Sequence, residues 1–361
     1  MTAESPSRSK RRYGLGRMLA AILIVLFVLI VIFADFIAPY DHTSQSRQAI
    51  SAPPSNIRFR AADGSFDLRP FIYARRLIDP LTVRYEEVET QKYPLELFTQ
   101  GDQHLLFGFI PARMHIFGVS GAGPDTPRVH LLGTDSLGRD RFSRLLIAVR
   151  FSLLVCPLGA ALACLIGVLI GMLSGYANRI IDTILMGAAD SMLALPALIL
   201  ILAARAAFPL ELPPTRAAVL LIMIFALTGW AGMARLTRGM VRSLREREFV
   251  LAARSIGLSE ARILFRHILP NAAPALITQA LIILPYFLLS EVALSYLGVG
   301  LQEPEPSLGN MLAAANDITQ LARQPFVLLS PAIVIFLFVL AIRVLVPDTN
   351  VKNSEFDPAD R

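Results

Sequence analysis

Apolar residues gather into long blocks along this chain instead of alternating with polar ones. The first block covers residues 18–38 and contains one charged residue, Asp35. A helix needs about 20 predominantly apolar residues to cross the hydrocarbon core of a bilayer. Five further blocks have comparable length, at 151–173, 184–208, 217–234, 272–297 and 326–346. The pattern therefore predicts six transmembrane helices.

Residues 39–145 interrupt this pattern, because they contain no apolar block of spanning length. Short runs at 81–88 and 104–110 have the composition of strands. The predicted fold class is an all-α polytopic membrane protein with a small extracytoplasmic insertion, for which an α+β fold is one expectation. The expected domains are a cytoplasmic tail (1–17), the first transmembrane helix (18–38), the insertion and linker (39–145), a core of five transmembrane helices (146–346) and a second cytoplasmic tail (347–361).

The composition fits a membrane protein and excludes an ordinary soluble enzyme. Hydrophobic residues make up 54% of the chain and charged residues only 17%, against about 25% charged in soluble domains. The two cysteines, Cys156 and Cys164, lie in one apolar block. On a helix they would be about 12 Å apart along the axis, which is too far for a disulfide. We expect both to pack between helices.

Basic residues set the expected orientation. The N-terminal tail has five basic residues and one acidic residue, and short segments rich in Lys and Arg remain in the cytoplasm. Six helices then place both termini in the cytoplasm, together with the arginine-rich loop at 240–271.

That loop predicts two short helices joined by a turn. Gly257 can take the left-handed position after a helix, Ser259 can cap the next one, and Pro270 marks an end near the membrane. Arg235, Arg238, Arg242 and Arg245 share one helical face, so the fourth transmembrane helix is expected to continue into the cytoplasm with a basic stripe.

Two simpler interpretations of the loop remain open. It could be a basic loop that only follows the orientation rule, or a DNA-binding helix-turn-helix. Nearby membrane helices leave the second little freedom to enter a groove, so we expect no nucleic-acid partner. Ala252 and Ala253 allow close approach of another backbone, and Ile256, Leu258, Ile263 and Leu264 are expected to give the helix pair a buried side. These features favour a docking element for a soluble protein.

The chain shows no sequence motif of an ATPase or hydrolase. A phosphate-binding loop ends in Gly-Lys-Ser/Thr, but none of the three lysines follows a glycine. We expect no catalytic residue, no metal site and no cofactor on this chain. Asp135 and Asp140 could suggest a cation loop, but capping of the helix before the second span by Asp140 is the favoured interpretation.

Three ordered blocks carry a resemblance to a known family. They are LGTDSLGRDRFSR (132–144), the loop segment from Glu248 to Asn271, and EVALSYLGVGLQEPEPSLGNML (291–312). Together they resemble the inner-membrane permease subunits of ATP-binding-cassette (ABC) importers. Within that family they are similar to the C-type subunit of dipeptide, oligopeptide and nickel transporters, and the loop looks like the EAA motif. Leu251 and His267 depart from the usual residues of that motif.

The resemblance implies a type I importer fold in a bacterial cytoplasmic (inner) membrane. It implies a homologous second permease subunit, two ABC ATPase subunits that bind ATP and Mg, and an extracytoplasmic substrate-binding protein as partners, besides the lipid bilayer. The expected cargo is a peptide or a similarly sized solute. The residues expected to form the coupling loop are Glu248, Ala252, Ala253, Arg254, Gly257, Leu258, Ser259, Arg262, His267 and Pro270.

Ionisable residues at membrane depth are the candidates for a translocation path, because burying a charge in a bilayer is costly. The two candidate residues are Asp190 and Glu291. For Asp190, the competing interpretation is hydrogen bonding to a neighbouring helix. The alternative function is a proton- or ion-coupled secondary transporter that uses these two carboxylates. A non-transporting receptor, in which the insertion is the working domain, is a third hypothesis.

Overall fold

The computed structural model describes residues 6–61, 64–79, 82–106, 110–119 and 126–346 of the 361-residue chain. The expected second tail, 347–361, lies outside the described residues, as do the first five residues of the expected N-terminal tail. The helices of the described residues are α1 (Pro6–Ile37), α2 (Arg141–Tyr176), α3 (Arg179–Ala194), α4 (Ala197–Ala206), α5 (Pro214–Leu244), α6 (Glu248–Ser255), α7 (Glu260–Ile263), α8 (Leu269–Tyr296), α9 (Leu308–Ala313), α10 (Ile318–Arg323), α11 (Pro325–Leu328) and α12 (Ser330–Leu345).

Four described helical rods are long and apolar enough to cross a membrane. They are Leu15–Ile37, Arg141–Tyr176, Pro214–Leu244 and Glu260–Tyr296. The structure therefore supports four of the six predicted spans directly.

The predicted third and sixth spans differ from simple rods. The block at 184–208 is divided into α3 and α4, which are bent by 89° and together pass as one span. The break falls at Leu195 and Pro196, where proline removes a backbone donor and disfavours helical geometry in the residue before it. The block at 326–346 contains α12, which has only 16 residues. The count is thus four spans, or five if the bent pair crosses once.

The centre of the helical body is the contact between α2 and α5. Gly167, Gly171 and Gly175 stand at every fourth position of α2 and face α5. A Cβ atom on Gly171 would lie 2.5 Å from the carbonyl oxygen of Ala234, and one on Gly167 would lie 2.6 Å from that of Trp230. Small residues at this spacing let two membrane helices approach backbone to backbone. The chain uses this approach to hold α2 and α5 together.

The described part of the predicted insertion is a sheet. Its strands are β1 (Arg58–Arg60), β2 (Phe66–Asp79), β3 (Arg84–Leu106) and β4 (Ile110–Val119). They pair in sequence order, and every pair is antiparallel. The expected strands at 81–88 and 104–110 fall largely within β3 and at the start of β4, with residues 81 and 107–109 outside the described set. The expected helical part of an α+β module is not found among the described residues of 39–140.

The sheet is tied to the adjoining end of α1. The ring of His115 on β4 lies with Nδ1 2.5 Å from the carbonyl oxygen of Ala38 and with Nε2 3.0 Å from that of Asp102 on β3. This histidine is almost completely buried. It fixes the strands against the segment where α1 ends, which shapes the groove described below.

The first and third sequence blocks meet at the same end of the helical body. The Arg144 NH2 group contacts both carboxylate oxygens of Glu303, at 2.9 and 3.1 Å, and Arg139 NH1 contacts the same carboxylate at 2.6 Å. Arg139 also donates through Nε to Asp135 at 2.7 Å. The start of α2 is thereby clamped to the loop that follows α8.

Candidate functional site

The predicted helix–turn–helix lies at the opposite end of α8 from this clamp. Helix α6 ends at Ser255, and Gly257 then takes φ +79°. The amide of Gly257 donates to the carbonyl of Arg254 at 2.9 Å, and that of Leu258 donates to Ala253 at 3.2 Å. These two bonds form a Schellman motif, in which a left-handed residue ends a helix. The predicted left-handed conformation of Gly257 is confirmed.

An ion pair closes the turn. Arg254 donates through Nε and NH2 to the two carboxylate oxygens of Glu260, at 2.9 and 3.0 Å. Hydrogen bonding to this carboxylate raises the pKa of Arg254 above its ordinary value. Arg254 and Arg262 were both expected in the coupling loop. The structure pairs Arg254 within the loop, while Arg262 is exposed.

Two expected details of the turn are wrong. Ser259 occupies the cap position before α7, but its side chain makes no capping hydrogen bond. Ile256 was expected on the buried side and is 77% exposed. Ile256 is the last residue before the left-handed turn. At this residue the chain turns away from the face of α6 on which Ala253 is buried.

The buried side of the loop is otherwise as expected, with one addition. Ala253 and Ile263 are buried, and Leu258 and Leu264 are half-buried beside them. Val250, which the sequence analysis missed, is completely buried in the same cluster as Met172 of α2 and Val241 of α5. Its position three residues before Ala253 is the helical spacing that would have identified it. The loop is therefore seated on the ends of the two central helices.

The loop also exposes large apolar side chains. These are Phe249, Leu251, Ile256 and Phe265. The predicted loop residues Glu248, Ala252, Ser259 and Pro270 are also exposed, whereas His267 is half-buried. An apolar surface set among charges on a projecting helix pair is typical of a protein-binding site.

Pro270 does not end a helix, contrary to the prediction. Residues Leu264–Ile268 form a turn of π-helix, and Pro270 lies in the first turn of α8 directly after it. In a π turn, backbone amides bond to carbonyls five residues earlier instead of four. Because the hydrogen-bond partners shift by one residue there, the helix does not need the amide that proline lacks. The loop is consequently continuous with the rod that spans Glu260–Tyr296.

The basic stripe on α5 is confirmed, but internal acids occupy it. Asp182 at the start of α3 accepts from Arg238 Nε at 2.5 Å, from Arg238 NH2 at 2.7 Å and from Arg242 NH2 at 2.7 Å. It also accepts from the hydroxyl of Ser174 on α2 at 2.5 Å. Arg245 donates to the carbonyl of Gly175 at 3.0 Å. Asp182 therefore ties α2, α3 and α5 together directly beneath the loop.

Sequence reasoning missed Asp182. The sequence signal for Asp182 was an acidic residue in the first turn of α3. This helix begins after Asn178, whose side chain accepts a hydrogen bond from the Ile181 amide at 3.0 Å. An acid at a helix start is common and suggests only an interaction with the helix dipole.

The structure does not bring the two proposed path carboxylates together. Asp190 is exposed on α3 and forms an ion pair with Arg235 of α5. Glu291 on α8 is 0% exposed. Its carboxylate accepts from the hydroxyls of Ser152 on α2, at 2.7 Å, and Ser295, at 2.8 Å. This arrangement gives Glu291 a packing role between α2 and α8, whereas Asp190 lies on an open face.

Two family models match the chain. Residues 167–347 match the model described as binding-protein-dependent transport system inner membrane component. Residues 16–54 match the N-terminal transmembrane domain of oligopeptide transport permease C. The first match covers half of the chain and includes the whole helix–turn–helix loop.

The chain is also similar to curated relatives and to solved structures. The chain is 36% identical over 203 residues to an oligopeptide transport system permease protein of Bacillus subtilis, an alignment that covers 56% of this chain and 64% of the relative. It is 35% identical over 216 residues to a dipeptide transport system permease protein of Alkalihalophilus pseudofirmus, covering 60% of this chain and 68% of the relative. A chain of the MetNI methionine ABC transporter in an inward-facing conformation aligns at 22% identity and a TM-score of 0.41, over 56% of this chain and 94% of that one.

Proposed function

Because the chain belongs to the family of binding-protein-dependent transport system inner membrane components, we propose that it is one permease half of an ABC importer for peptides. The partners are a homologous second permease, two ATPase subunits that bind ATP and Mg, and an extracytoplasmic binding protein. This chain supplies no catalytic residue and no cofactor. The peptide cargo is proposed from the names of the curated relatives.

The observation that carries this proposal is the projecting loop with its exposed apolar side. Ile256 extends from the tip of a turn that Gly257 and the Arg254–Glu260 pair hold rigid. We assign this side to a groove of an ATPase subunit, so that the loop acts as a coupling helix. The nearby exposed charges Glu248 and Arg262 lie at the rim, where polar residues usually surround an apolar interface.

The geometry below the loop explains how a movement could reach the membrane. A displacement at Ile256 passes into α8, because α7, the π turn and α8 form one rod. It also passes into α2 and α5 through the buried cluster of Val250 and Ile263. Protein interiors are dense and resist compression, so packed helices move together as rigid bodies when one of them is displaced.

The proposed topology has six crossings and both termini in the cytoplasm. The bent pair α3–α4 and the short helix α12 each count as one crossing. The sheet of β1–β4 then lies outside the cytoplasm and the loop inside. The arginines at the inner ends of α5 and α6 follow the distribution of positive charge that this orientation requires.

The first experiment compares Ile256→Asp with Ile318→Asp in a tagged chain purified from native membranes. Both isoleucines are highly exposed, 77% and 80% respectively, so neither change should disturb the fold. We expect Ile256→Asp to lose most of the copurifying ATPase subunits and of the ATP-driven peptide uptake. Ile318→Asp, at the other end of the molecule, should retain both.

Two results would contradict the proposal. Equal recovery of ATPase subunits with both variants would exclude the loop as the docking element. Uptake that follows a proton gradient without any copurifying ATPase would favour the secondary transporter, and substitution of Asp190 would then be the next test.

A further inference from the structure

A large groove among the described residues lies outside the proposed coupling machinery. It has a volume of about 910 Å³ and is formed where α1 ends, where α2 begins its course through the membrane, and where the sheet meets both. Its wall is apolar at the membrane side, with Val31, Ile32 and Leu154, and polar at the sheet side, with Tyr40, Asp41 and Asp102. This volume is in the range of ligand-binding pockets.

An ion pair lies at the junction of the two walls. Arg150 of α2 binds Asp35 of α1, and their side chains are 29% and 20% exposed. Arg150 directly precedes the apolar block at 151–173, and Asp35 lies near the end of the block at 18–38, so the pair lies at the edge of the membrane-spanning region. Charged residues next to the hydrocarbon are stabilised when they face a partner or a polar cavity. Here both line the groove.

The lining carries more negative than positive charge. Its carboxylates are Asp35, Asp41 and Asp102, and its one arginine is Arg150. Burial raises the pKa of Asp41, but hydrogen bonds from the hydroxyl and amide of Thr43 outweigh it, so the net pKa lies below its ordinary value. Asp41 is therefore anionic at neutral pH. A ligand that carries one negative and one positive group would match Arg150 and the aspartates together.

A second cavity adjoins the first at Val31. It has a volume of about 200 Å³ and follows α1 deeper into the membrane between α2, α8 and α12, where Phe27, Pro157 and Phe338 contribute to its wall. Its described lining residues are all apolar. The two cavities therefore form a polar head site above an apolar slot, along a helix whose outer face is exposed and apolar.

We propose that this groove binds a phospholipid with a primary-amine headgroup, of the phosphatidylethanolamine type. The phosphate lies at Arg150, the ammonium group is held by Asp41 and Asp102, and one acyl chain enters the slot below Val31. The ammonium group can donate hydrogen bonds to the carboxylates, which a choline group cannot. In the proposed topology the lipid belongs to the outer leaflet. The bound lipid would fasten α1 and the sheet to α2.

The test measures lipid that remains bound to the assembled transporter. The complex is purified through this chain and relipidated with phosphatidylethanolamine, phosphatidylcholine or phosphatidylglycerol of identical acyl chains. After detergent exchange, native mass spectrometry gives the lipid retained per complex. We expect one tightly held phosphatidylethanolamine, and at least about fivefold less of the other two, as loss of a charge-assisted hydrogen bond implies.

A matched pair of variants tests the location. Leu154 lines the groove, and Leu158 is exposed one turn further along α2. We expect Leu154→Trp to obstruct the groove and lose the retained lipid, and Leu158→Trp to keep it. Arg150→Gln should weaken the preference among headgroups, and the thermal unfolding temperature of each variant shows whether it has folded.

Three outcomes would overturn the proposal. Equal retention of all three lipids would mean ordinary boundary lipid. Absence of any retained lipid in the assembled transporter would mean that the second permease fills the groove. Displacement of the lipid by added peptide would assign the groove to the cargo. None of these results bears on the coupling loop, so the proposed function is tested separately.

Discussion

At the scale of single residues, two kinds of polar contact hold the start of α2. Asp140 caps the helix, as its position in the sequence predicts, by accepting a hydrogen bond from the Ser143 amide at 2.7 Å. Arg139 and Arg144 clamp Glu303, which lies about 160 residues away along the chain. The cap is a local contact, whereas the clamp holds two distant segments together.

Glu303 gives the residue-scale prediction. Arg144 is 3% exposed, so removing the charge of Glu303 leaves a buried guanidinium with weaker partners, which are Asp135 and the carbonyls of Pro304 and His42. We expect Glu303→Gln to lower the free energy of unfolding by about 1 to 2 kcal/mol, because Glu303 itself is half exposed and solvent screens part of the interaction. Thermal unfolding of the detergent-solubilised protein measures the change.

Glu305→Gln is the control for that prediction. Glu305 lies two residues away and binds His42 at 3.2 Å. This hydrogen bond lowers the pKa of Glu305 below its ordinary value of 4.5. Its stabilising effect is present above pH 4.5 and is lost as the pH falls through the lowered pKa. At neutral pH we expect a smaller loss than for Glu303→Gln, and equal losses would exclude the clamp as the stronger contact.

At the scale of elements, the glycine face of α2 is the feature with the sharpest consequence. A methyl group on Gly171 would meet the carbonyl oxygen of Ala234 and the side chain of Thr237 on α5, whereas one on Gly239 of α5 would meet no atom within 4 Å. We expect Gly171→Ala to destabilise the protein by about 1 to 3 kcal/mol, because backbone atoms cannot yield as a side chain can.

Gly239→Ala is the matched change on the partner helix. Alanine forms helices better than glycine by about 1 kcal/mol, so we expect an unchanged or higher unfolding temperature. Unfolding is followed by the same thermal assay as for the glutamate variants. A lower unfolding temperature for Gly239→Ala than for Gly171→Ala would show that the close α2–α5 approach does not limit stability.

The elements also show how far the sequence could predict this structure. The turn at Gly257 was predicted because a left-handed glycine, the helix before it and the acid after it are local signals. Pro196 indicates where the helix is weakened, but its neighbours decide the angle, so the sequence alone could not predict the 89° bend between α3 and α4. The exposure of Ile256 was missed because an apolar residue was assigned to the core, although interfaces also require apolar side chains.

At the scale of the whole molecule, three long rods connect two charged assemblies. The clamp on Glu303 lies where α2 begins and α8 ends, and the Asp182 cluster lies where α2 and α5 end, beneath the loop. The same rods hold Glu291 and the glycine face between these ends. A movement imposed on the loop would therefore reach the clamp through α2, which is fixed to α5 at the Asp182 cluster and to the loop after α8 at the clamp.

The topology that this mechanism needs can be tested with three single cysteines in a Cys156→Ser, Cys164→Ser background. Gln45→Cys, Glu211→Cys and Ile256→Cys all replace exposed residues. If the bent pair α3–α4 crosses the membrane once, positions 45 and 211 lie outside and position 256 lies inside. We expect a membrane-impermeant maleimide to label the first two in intact cells and Ile256→Cys only after permeabilisation. If α3–α4 instead returns to its own side, Glu211→Cys would be protected and Ile256→Cys would be labelled from outside. That result would place the arginine stripe of α5 outside the cytoplasm, against the charge rule, and would remove the loop from any cytoplasmic ATPase.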